Sequence, residues 1–180
     1  MKNSNLKPTL VLVVICFVVT FALAGTYQVT KPVIEAITKA NADAARAEVL
    51  PSGEGFTPIE GELLEGIADV YNADNNSGVV VTAIERGYGG AMTVMVGIDN
   101  DGKVTGVKIL QHTETPGLGT KAMTEEHLSQ YLDKASVSTG GSGEDNIDAI
   151  SGATLSSNAV YRAVENSLNQ YSEMGGASIE

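Results

Sequence analysis

The chain has 180 residues, 43% of them apolar, and this length fits one medium-sized domain more readily than two. Its 22 acidic residues outnumber 11 basic ones, and the resulting formal charge of −11 argues against nucleic-acid binding, which needs clustered Lys and Arg. The single cysteine, Cys16, lies in an apolar run, which excludes a disulfide framework, a cysteine-ligated iron–sulfur cluster and a zinc knuckle. Any redox chemistry must therefore come from an organic cofactor.

The N-terminal segment contains 23 consecutive uncharged residues between Lys7 and Lys31. As a helix this stretch is roughly 35 Å long, enough to cross a hydrocarbon layer of about 30 Å. We therefore predict a short tail and a transmembrane anchor over residues 1–30. An Ala-x-Ala sequence before Gly25 is also typical of a cleaved signal peptide, and that alternative stays open.

The charges beside this segment predict its orientation. Lys2 and Lys7 precede the span, whereas the residues beyond Lys31 are strongly acidic. Because basic flanks stay in the cytoplasm, we expect a single-pass protein of the cytoplasmic membrane with a cytoplasmic N-terminus. The remainder of the chain is then on the extracytoplasmic side.

Beyond the anchor, residues 31–50 are rich in Ala and predict a stalk helix that ends before Pro51, although an ordinary surface helix would show the same pattern. Two short strands are predicted at 67–72 and 79–86. They are followed by a hairpin, in which the arms AMTVMVGI and KVTGVKIL flank the turn sequence DNDG.

The last part of the chain has helical patterns. A helix is predicted over 124–134, a loop over 136–146, and a final helix over 155–171 with an apolar stripe. Strands followed by helices, without βαβ alternation, predict an α+β domain over residues 51–180, with an antiparallel sheet packed by helices.

The sequence DAISGATLSSNAV, from Asp148 to Val160, surrounds the start of the final helix. A helix start presents unpaired N–H groups and a partial positive charge, so it can bind a phosphate. Gly152 and Ala153 allow close approach, and the hydroxyl of Thr154 lies next to those amides in the sequence. From spacing alone, a helix start that caps itself with Ser and Thr is the favoured interpretation.

A second loop, HTETPGLGTK, follows the hairpin. Gly117 and Gly119 flank Leu118, so the bare backbone could approach a flat ligand. Glu114 could hydrogen-bond a heterocycle. A tight connection to the next helix would show the same pattern.

The two loops together resemble a known family. DAISGAT resembles the flavinylation signal Asp-x-x-Ser/Thr-Gly-Ala-Thr, and ETPGLG resembles the companion signature of the covalent FMN-binding domain. Nearly the whole chain, from the anchor to the last helix, is similar to the G subunits of Rnf ion-translocating ferredoxin:NAD oxidoreductases. The resemblance implies an electron-transfer flavoprotein with no independent activity, whose partners are the membrane and the other subunits of such a complex.

The resemblance also implies roles for individual residues. Thr154 would carry FMN through a phosphoester bond made by a flavin transferase that uses FAD and Mg²⁺. The transferase would recognise Asp148, Ser151, Gly152, Ala153 and Thr154. The residues expected at the cofactor are Glu114, Thr115, Gly117, Leu118, Gly119, Ser151, Gly152, Ala153, Ser156 and Ser157.

Other functions receive less support from the sequence. The C subunit of a sodium-translocating NADH:quinone oxidoreductase shares the FMN domain but is normally longer, and another extracytoplasmic reductase would need further catalytic or haem-binding sequence. A membrane-anchored scaffold without flavin is the alternative from a different class. We expect no catalytic nucleophile and no metal site, with His112 on the surface and His127 solvated on a polar helix.

Overall fold

The computed structural model describes residues 6–141 and 143–176. The elements in chain order are α1 (Leu6–Val49), β1 (Phe56–Pro58), β2 (Ile67–Ala73), β3 (Gly78–Arg86), β4 (Ala91–Asp99), β5 (Val104–Gln111), α2 (Glu125–Leu128) and α3 (Thr154–Glu173). Short 3-10 turns cover Gly119–Met123 and Ser129–Tyr131. The chain divides into two compact units, Met1–Ala42 and Asp43–Glu180.

Helix α1 contains both the apolar segment and the Ala-rich segment that follows it, with Pro32 inside the helix. Among the described residues it is the one helix that is long and apolar enough to cross a membrane. Its apolar side chains between Leu10 and Ile37 are exposed to solvent in the isolated chain. These properties are those expected of the predicted anchor.

The described strands form one antiparallel sheet in the order β1-β2-β3-β4-β5, so each strand pairs with its neighbour in sequence. The predicted hairpin is present as β4 and β5. The longest pairing joins β3 to β4, from Gly78 opposite Asp99 to Arg86 opposite Ala91. The α+β fold with an antiparallel sheet is therefore confirmed.

One face of the sheet packs against α3. The predicted inward stripe of this helix is buried throughout, because its residues occupy one side of the helix and meet the apolar side chains of the strands. The members of this stripe are Val160, Ala163, Val164, Ser167, Leu168 and Tyr171.

The other face packs against the C-terminal end of α1. Gly97 in β4 and Gly106 in β5 are register partners, and both lie under Val49. A Cβ atom at Gly97 would lie 2.2 Å from the Val49 carbonyl oxygen, so only glycine permits this approach. That carbonyl also accepts a 2.6 Å hydrogen bond from the hydroxyl of Thr105. Helix and sheet are thus in direct backbone contact.

The predicted helix over 124–134 is wrong in its extent, since the α-helical part is only Glu125–Leu128. The chain leaves the helix because it pairs with the first residue of β5. Asp133 donates its amide to the carbonyl of Val104, and Val104 donates to Lys134, both at 2.9 Å. Strand β1 was not predicted from the sequence, because its three residues, including Pro58, lie among turn-forming residues.

Candidate functional site

A cleft of about 300 Å³ opens where the start of α3 meets two loops, one after β5 and one between β3 and β4. The cleft is lined by Tyr88, Glu114, Thr115, Leu118, Gly119, Gly152, Ala153, Thr154, Leu155 and Ser156. Residues that are distant in the sequence therefore form one concave site, of the size in which small ligands are usually bound.

The start of α3 has no side-chain cap. Ala153 occupies the N-cap position without a side-chain hydrogen bond, and Gly152 before it has a left-handed φ of +81°. Within the described part of the chain, no acceptor contacts the amides of Thr154, Leu155 and Ser156. These three donors and the partial positive charge of the helix remain available to an anion. The interpretation of a helix that caps itself is therefore wrong.

The three hydroxyl groups in the first turn of α3 have different surroundings. Ser156 is buried and donates to the Glu114 carboxylate at 2.9 Å. Ser157 is buried as well, and its oxygen accepts from the amide of Ile150 at 3.1 Å. Thr154 is exposed, and the described residues contain no hydrogen-bond partner for its hydroxyl. Thr154 is thus the hydroxyl of this turn that an incoming group can reach.

Glu114 is the only carboxylate among the described lining residues, and the residue is 5% exposed. One oxygen accepts from the amide of Gly89 at 3.0 Å, and the other accepts from Ser156. A Cβ atom at Gly87 or Gly119 would lie 2.1 or 2.2 Å from these oxygens. The glycines on both sides of the carboxylate therefore provide the space that it occupies.

The loop after Glu114 turns sharply at Gly117, which has a φ of +77°. The Gly117 amide donates to the hydroxyl of Thr120 at 2.9 Å. Leu118, the next residue, lines the cleft and is 57% exposed. An exposed leucine beside an open cleft supplies apolar surface for a ligand.

The structure brings most of the predicted cofactor residues together. Those that line the cleft are Glu114, Thr115, Leu118, Gly119, Gly152, Ala153, Thr154 and Ser156. Gly117, Ser151 and Ser157 lie in the same loops but are not part of its lining. Asp148 is exposed, and its carboxylate accepts from the Asn146 amide at 2.9 Å.

Two lining residues, Tyr88 and Leu155, were not predicted from the sequence. Tyr88 belongs to the segment Gly87–Gly90 that joins β3 to β4. The sequence signal was an aromatic residue among three glycines between two strands. This signal could be interpreted only in the fold, where the turn approaches Glu114. The position of a Cβ atom at Gly89 is 2.2 Å from the carbonyl oxygen of Thr113, the residue before Glu114.

The two histidines differ in their environment. His112 is exposed, and its Nδ1 accepts from the Glu114 amide at 3.2 Å. The prediction that His127 is solvated is wrong, because this residue is 2% exposed and packs edge-on against Tyr131. Burial lowers the pKa of His127 below its ordinary value of 6.5. No group of three potential metal ligands occurs in the described ranges.

Family models match both parts of the chain. The FMN-binding domain matches residues 87–169, and the RnfG N-terminal region matches residues 1–49. The first match begins at Gly87, so it includes the segment from which Tyr88 lines the cleft.

Similar proteins are matched over almost their whole length. The G subunit of the proton-translocating ferredoxin:NAD⁺ oxidoreductase complex of Clostridium ljungdahlii is 31% identical, over 97% of this chain and 96% of its own. The G subunit of the Na⁺-translocating ferredoxin:NAD⁺ oxidoreductase complex of Acetobacterium woodii is 33% identical, over 93% of this chain and 92% of its own.

A solved structure supports the fold. The C subunit of the Na⁺-translocating NADH-quinone reductase from Parabacteroides distasonis superposes with a TM-score of 0.52 and 18% identity, over 78% of this chain and 84% of its own. At this identity the similarity shows a shared fold only.

Proposed function

The chain belongs to the family of G subunits of ion-translocating ferredoxin:NAD⁺ oxidoreductase complexes, and from this premise we propose that it relays electrons through FMN covalently attached to Thr154. The observation that carries the proposal is the position of Thr154. Its exposed hydroxyl, for which the described residues offer no partner, lies beside three amides that the same residues leave free, and it opens into the cleft. A phosphate and a flat ring therefore each have a suitable neighbouring surface.

The residues of the site fit the two parts of FMN. The amides at the start of α3 would hold the phosphate, since a helix N-terminus favours negative charge. The exposed apolar side chains of Tyr88, Leu118 and Leu155 would cover the ring. Bound FMN supplies one- and two-electron chemistry, and the protein's contribution is to orient the cofactor and limit its contact with water.

The surroundings of the hydroxyls support Thr154 as the attachment site. Ser156 and Ser157 are buried and already hydrogen-bonded, whereas Thr154 is accessible. In the proposed reaction the threonine oxygen attacks the FMN phosphorus of FAD, the pyrophosphate bond breaks, AMP leaves and the hydroxyl proton is released. Asp148, Ser151, Gly152 and Ala153 would form the surface that the Mg²⁺-dependent flavin transferase recognises.

We also propose that α1 anchors the protein in the cytoplasmic membrane, with the flavin domain on the extracytoplasmic side and the other subunits of the complex as its partners. The length and apolar composition of α1 support the anchor, and Lys2 and Lys7 support the orientation. Protease added to spheroplasts should digest the domain and spare a tag placed before Lys7. A digested tag with a protected domain would reverse the orientation.

The attachment site is tested with Thr154→Ala in a strain that contains the transferase. We expect loss of flavin fluorescence from the denatured protein band, and an intact mass lower by about four to five hundred daltons than that of the flavinylated protein. Ser157→Ala is the matched control, because it removes a hydroxyl of the same turn that is buried, and it should keep the flavin. A fluorescent Thr154→Ala band with the label mapped to another residue would disprove the assignment.

A further inference from the structure

We propose that Glu114 is a positioning residue that also sets the reduction potential of a flavin in the cleft, an inference that rests on the proposed function. Glu114 is a buried carboxylate in the wall of this cleft, and no other carboxylate of the described residues lines it. The side chain holds neighbouring segments in place and brings a negative charge to the site.

The positioning role follows from the two hydrogen bonds of the carboxylate. The amide of Gly89 belongs to the β3–β4 turn, and the hydroxyl of Ser156 belongs to the first turn of α3. Glu114 itself lies in the loop after β5. One side chain therefore joins three separate parts of the chain, two of which carry the lining residues Tyr88 and Leu155.

The contacts leave the carboxylate little freedom to move. The positions of a Cβ atom at Gly87 and at Gly119 are 2.1 and 2.2 Å from its two oxygens. Each glycine thus lies against a different oxygen of the group. Because a buried charge is costly unless it is hydrogen-bonded, the donors Gly89 and Ser156 are what allow a carboxylate to be kept here.

The electrostatic role follows from this fixed charge. Interactions between charges are stronger in a partly buried site than in water, because the effective dielectric constant is lower. Electrons added to a ring in the cleft would be repelled by the Glu114 carboxylate, so reduction becomes less favourable and the reduction potential is lowered. Neutralising Glu114 should therefore raise it.

Glu114→Gln can separate the charge from the contacts. A glutamine carbonyl oxygen can accept from the Gly89 amide, as the carboxylate does. Its NH₂ group can donate to Ser156, whose hydroxyl is able to accept as well as donate. The variant therefore keeps both hydrogen bonds of residue 114, with the direction of the one to Ser156 reversed, and removes the negative charge.

The experiment is a redox titration of the full-length, flavinylated protein in detergent, with dithionite as the electron donor and water as the source of protons. At the potential where the wild-type flavin is half reduced, we expect the ratio of reduced to oxidised flavin in Glu114→Gln to be about threefold to tenfold higher. A tenfold change corresponds to about 30 mV for a two-electron couple. Glu126→Gln removes an exposed charge outside the cleft and should behave like the wild type.

Glu114→Asp provides the conservative comparison. It keeps the charge but shortens the side chain, so its potential should remain closer to that of the wild type than to that of Glu114→Gln. Its shorter reach should weaken the contact to Gly89, which is measured as faster hydrogen exchange of the segment 87–90. Glu114→Gln should keep wild-type exchange there, and Glu114→Ala should lose the protection.

Several outcomes would overturn the inference. A potential of Glu114→Gln equal to that of the wild type, or an equal shift in Glu126→Gln, would exclude a special electrostatic role. Flavin loading of Glu114→Asp but not of Glu114→Gln would make the charge a requirement for attachment instead. A wild-type protein that stays without flavin in a strain that contains the transferase would disprove the proposed function, whereas hydrogen exchange at 87–90 would still test the positioning role in the unloaded protein.

Discussion

Two pairs of glycines in this domain have opposite uses. Gly97 and Gly106 lie where the sheet meets the end of α1, and their missing side chains leave room for the backbone of Val49. Gly117 and Gly152 lie in the loops around the cleft and have positive φ angles, and no described residue beyond their chain neighbours has an atom within 4 Å of the position of a Cβ atom. At the first pair, backbone atoms of α1 occupy the space that a side chain would take, and at the second pair this space is open.

This difference shows what a glycine-rich sequence can and cannot indicate. A glycine beneath a helix is required because of contact, so a methyl group there disturbs packing. A glycine beside an open cleft is required because of its backbone conformation, and it also leaves access to a ligand. Replacing these glycines by alanine or asparagine distinguishes the two causes.

We expect the largest loss of stability from Gly97→Ala. The added Cβ atom would lie 2.2 Å from the Val49 carbonyl oxygen, and because the neighbour is backbone, the helix end must move away from the sheet. Overpacking of this kind costs about 3 kcal/mol of unfolding free energy. Urea unfolding followed by tyrosine fluorescence measures the loss.

Gly61→Ala is the matched control, because in the described part of the chain nothing beyond its chain neighbours lies within 4 Å of its Cβ position, and its φ is not left-handed. It should change the free energy of unfolding by less than about 0.5 kcal/mol. Equal stability of the two variants would contradict the assignment of Gly97 to direct packing.

Gly119→Ala should have an intermediate effect. Its Cβ atom would meet a Glu114 oxygen at 2.2 Å and the Ser156 hydroxyl at 2.9 Å, but these are side-chain atoms that can shift. We expect a loss of about 2 kcal/mol, part of it from the disturbed hydrogen bonds of a buried carboxylate. A thermal-unfolding curve measures the loss, and faster hydrogen exchange at Gly89 would show that Glu114 has moved. Unchanged exchange there would argue against the coupling.

Gly152 tests the glycines that border the open cleft. An alanine there has space but must adopt a left-handed conformation, which costs about 1 kcal/mol. Asn tolerates this conformation better, so Gly152→Asn should be more stable than Gly152→Ala in the same unfolding experiment. If access also matters, the larger Asn side chain should reduce flavin attachment despite this stability. Full attachment in Gly152→Asn would leave conformation as the only requirement.

The sequence predicted local features of the fold better than long-range ones. The β4–β5 hairpin and the buried stripe of α3 follow from alternation and helical spacing, and both are present. The extent of α2 could not be predicted from such patterns, because the hydrogen bonds that end the helical segment join Asp133 and Lys134 to Val104, a residue of another element.

The same limit applies to the site. The two motifs indicated Glu114 and Thr154 as members of one site, and the structure places both at the cleft. Tyr88 was missed because its role depends on the contact between Gly89 and Glu114, which are 25 residues apart. That the Thr154 hydroxyl has no partner among the described residues could not be predicted either, since it depends on the partners that Ser156 and Ser157 find in the folded chain.

The smallest expected effect concerns His127, which tests whether the folded interior tolerates a protonated imidazole. Its Nε2 is buried and has no partner among the described residues, and burial lowers the pKa in the folded state. Above about pH 7 the folded and unfolded chains both hold a neutral imidazole, so His127 costs no stability. Below the unfolded pKa of 6.5 the unfolded chain binds the proton more readily, and stability falls toward the lower folded pKa. One such group accounts for at most about 0.8 kcal/mol at pH 6.0.

Unfolding measured at pH 7.5 and 6.0 should show this loss in the wild type and in His112→Gln, whose site is exposed, and a smaller loss in His127→Gln. An equal loss in all three proteins would mean that another group accounts for the pH dependence and that the interior accommodates a protonated His127.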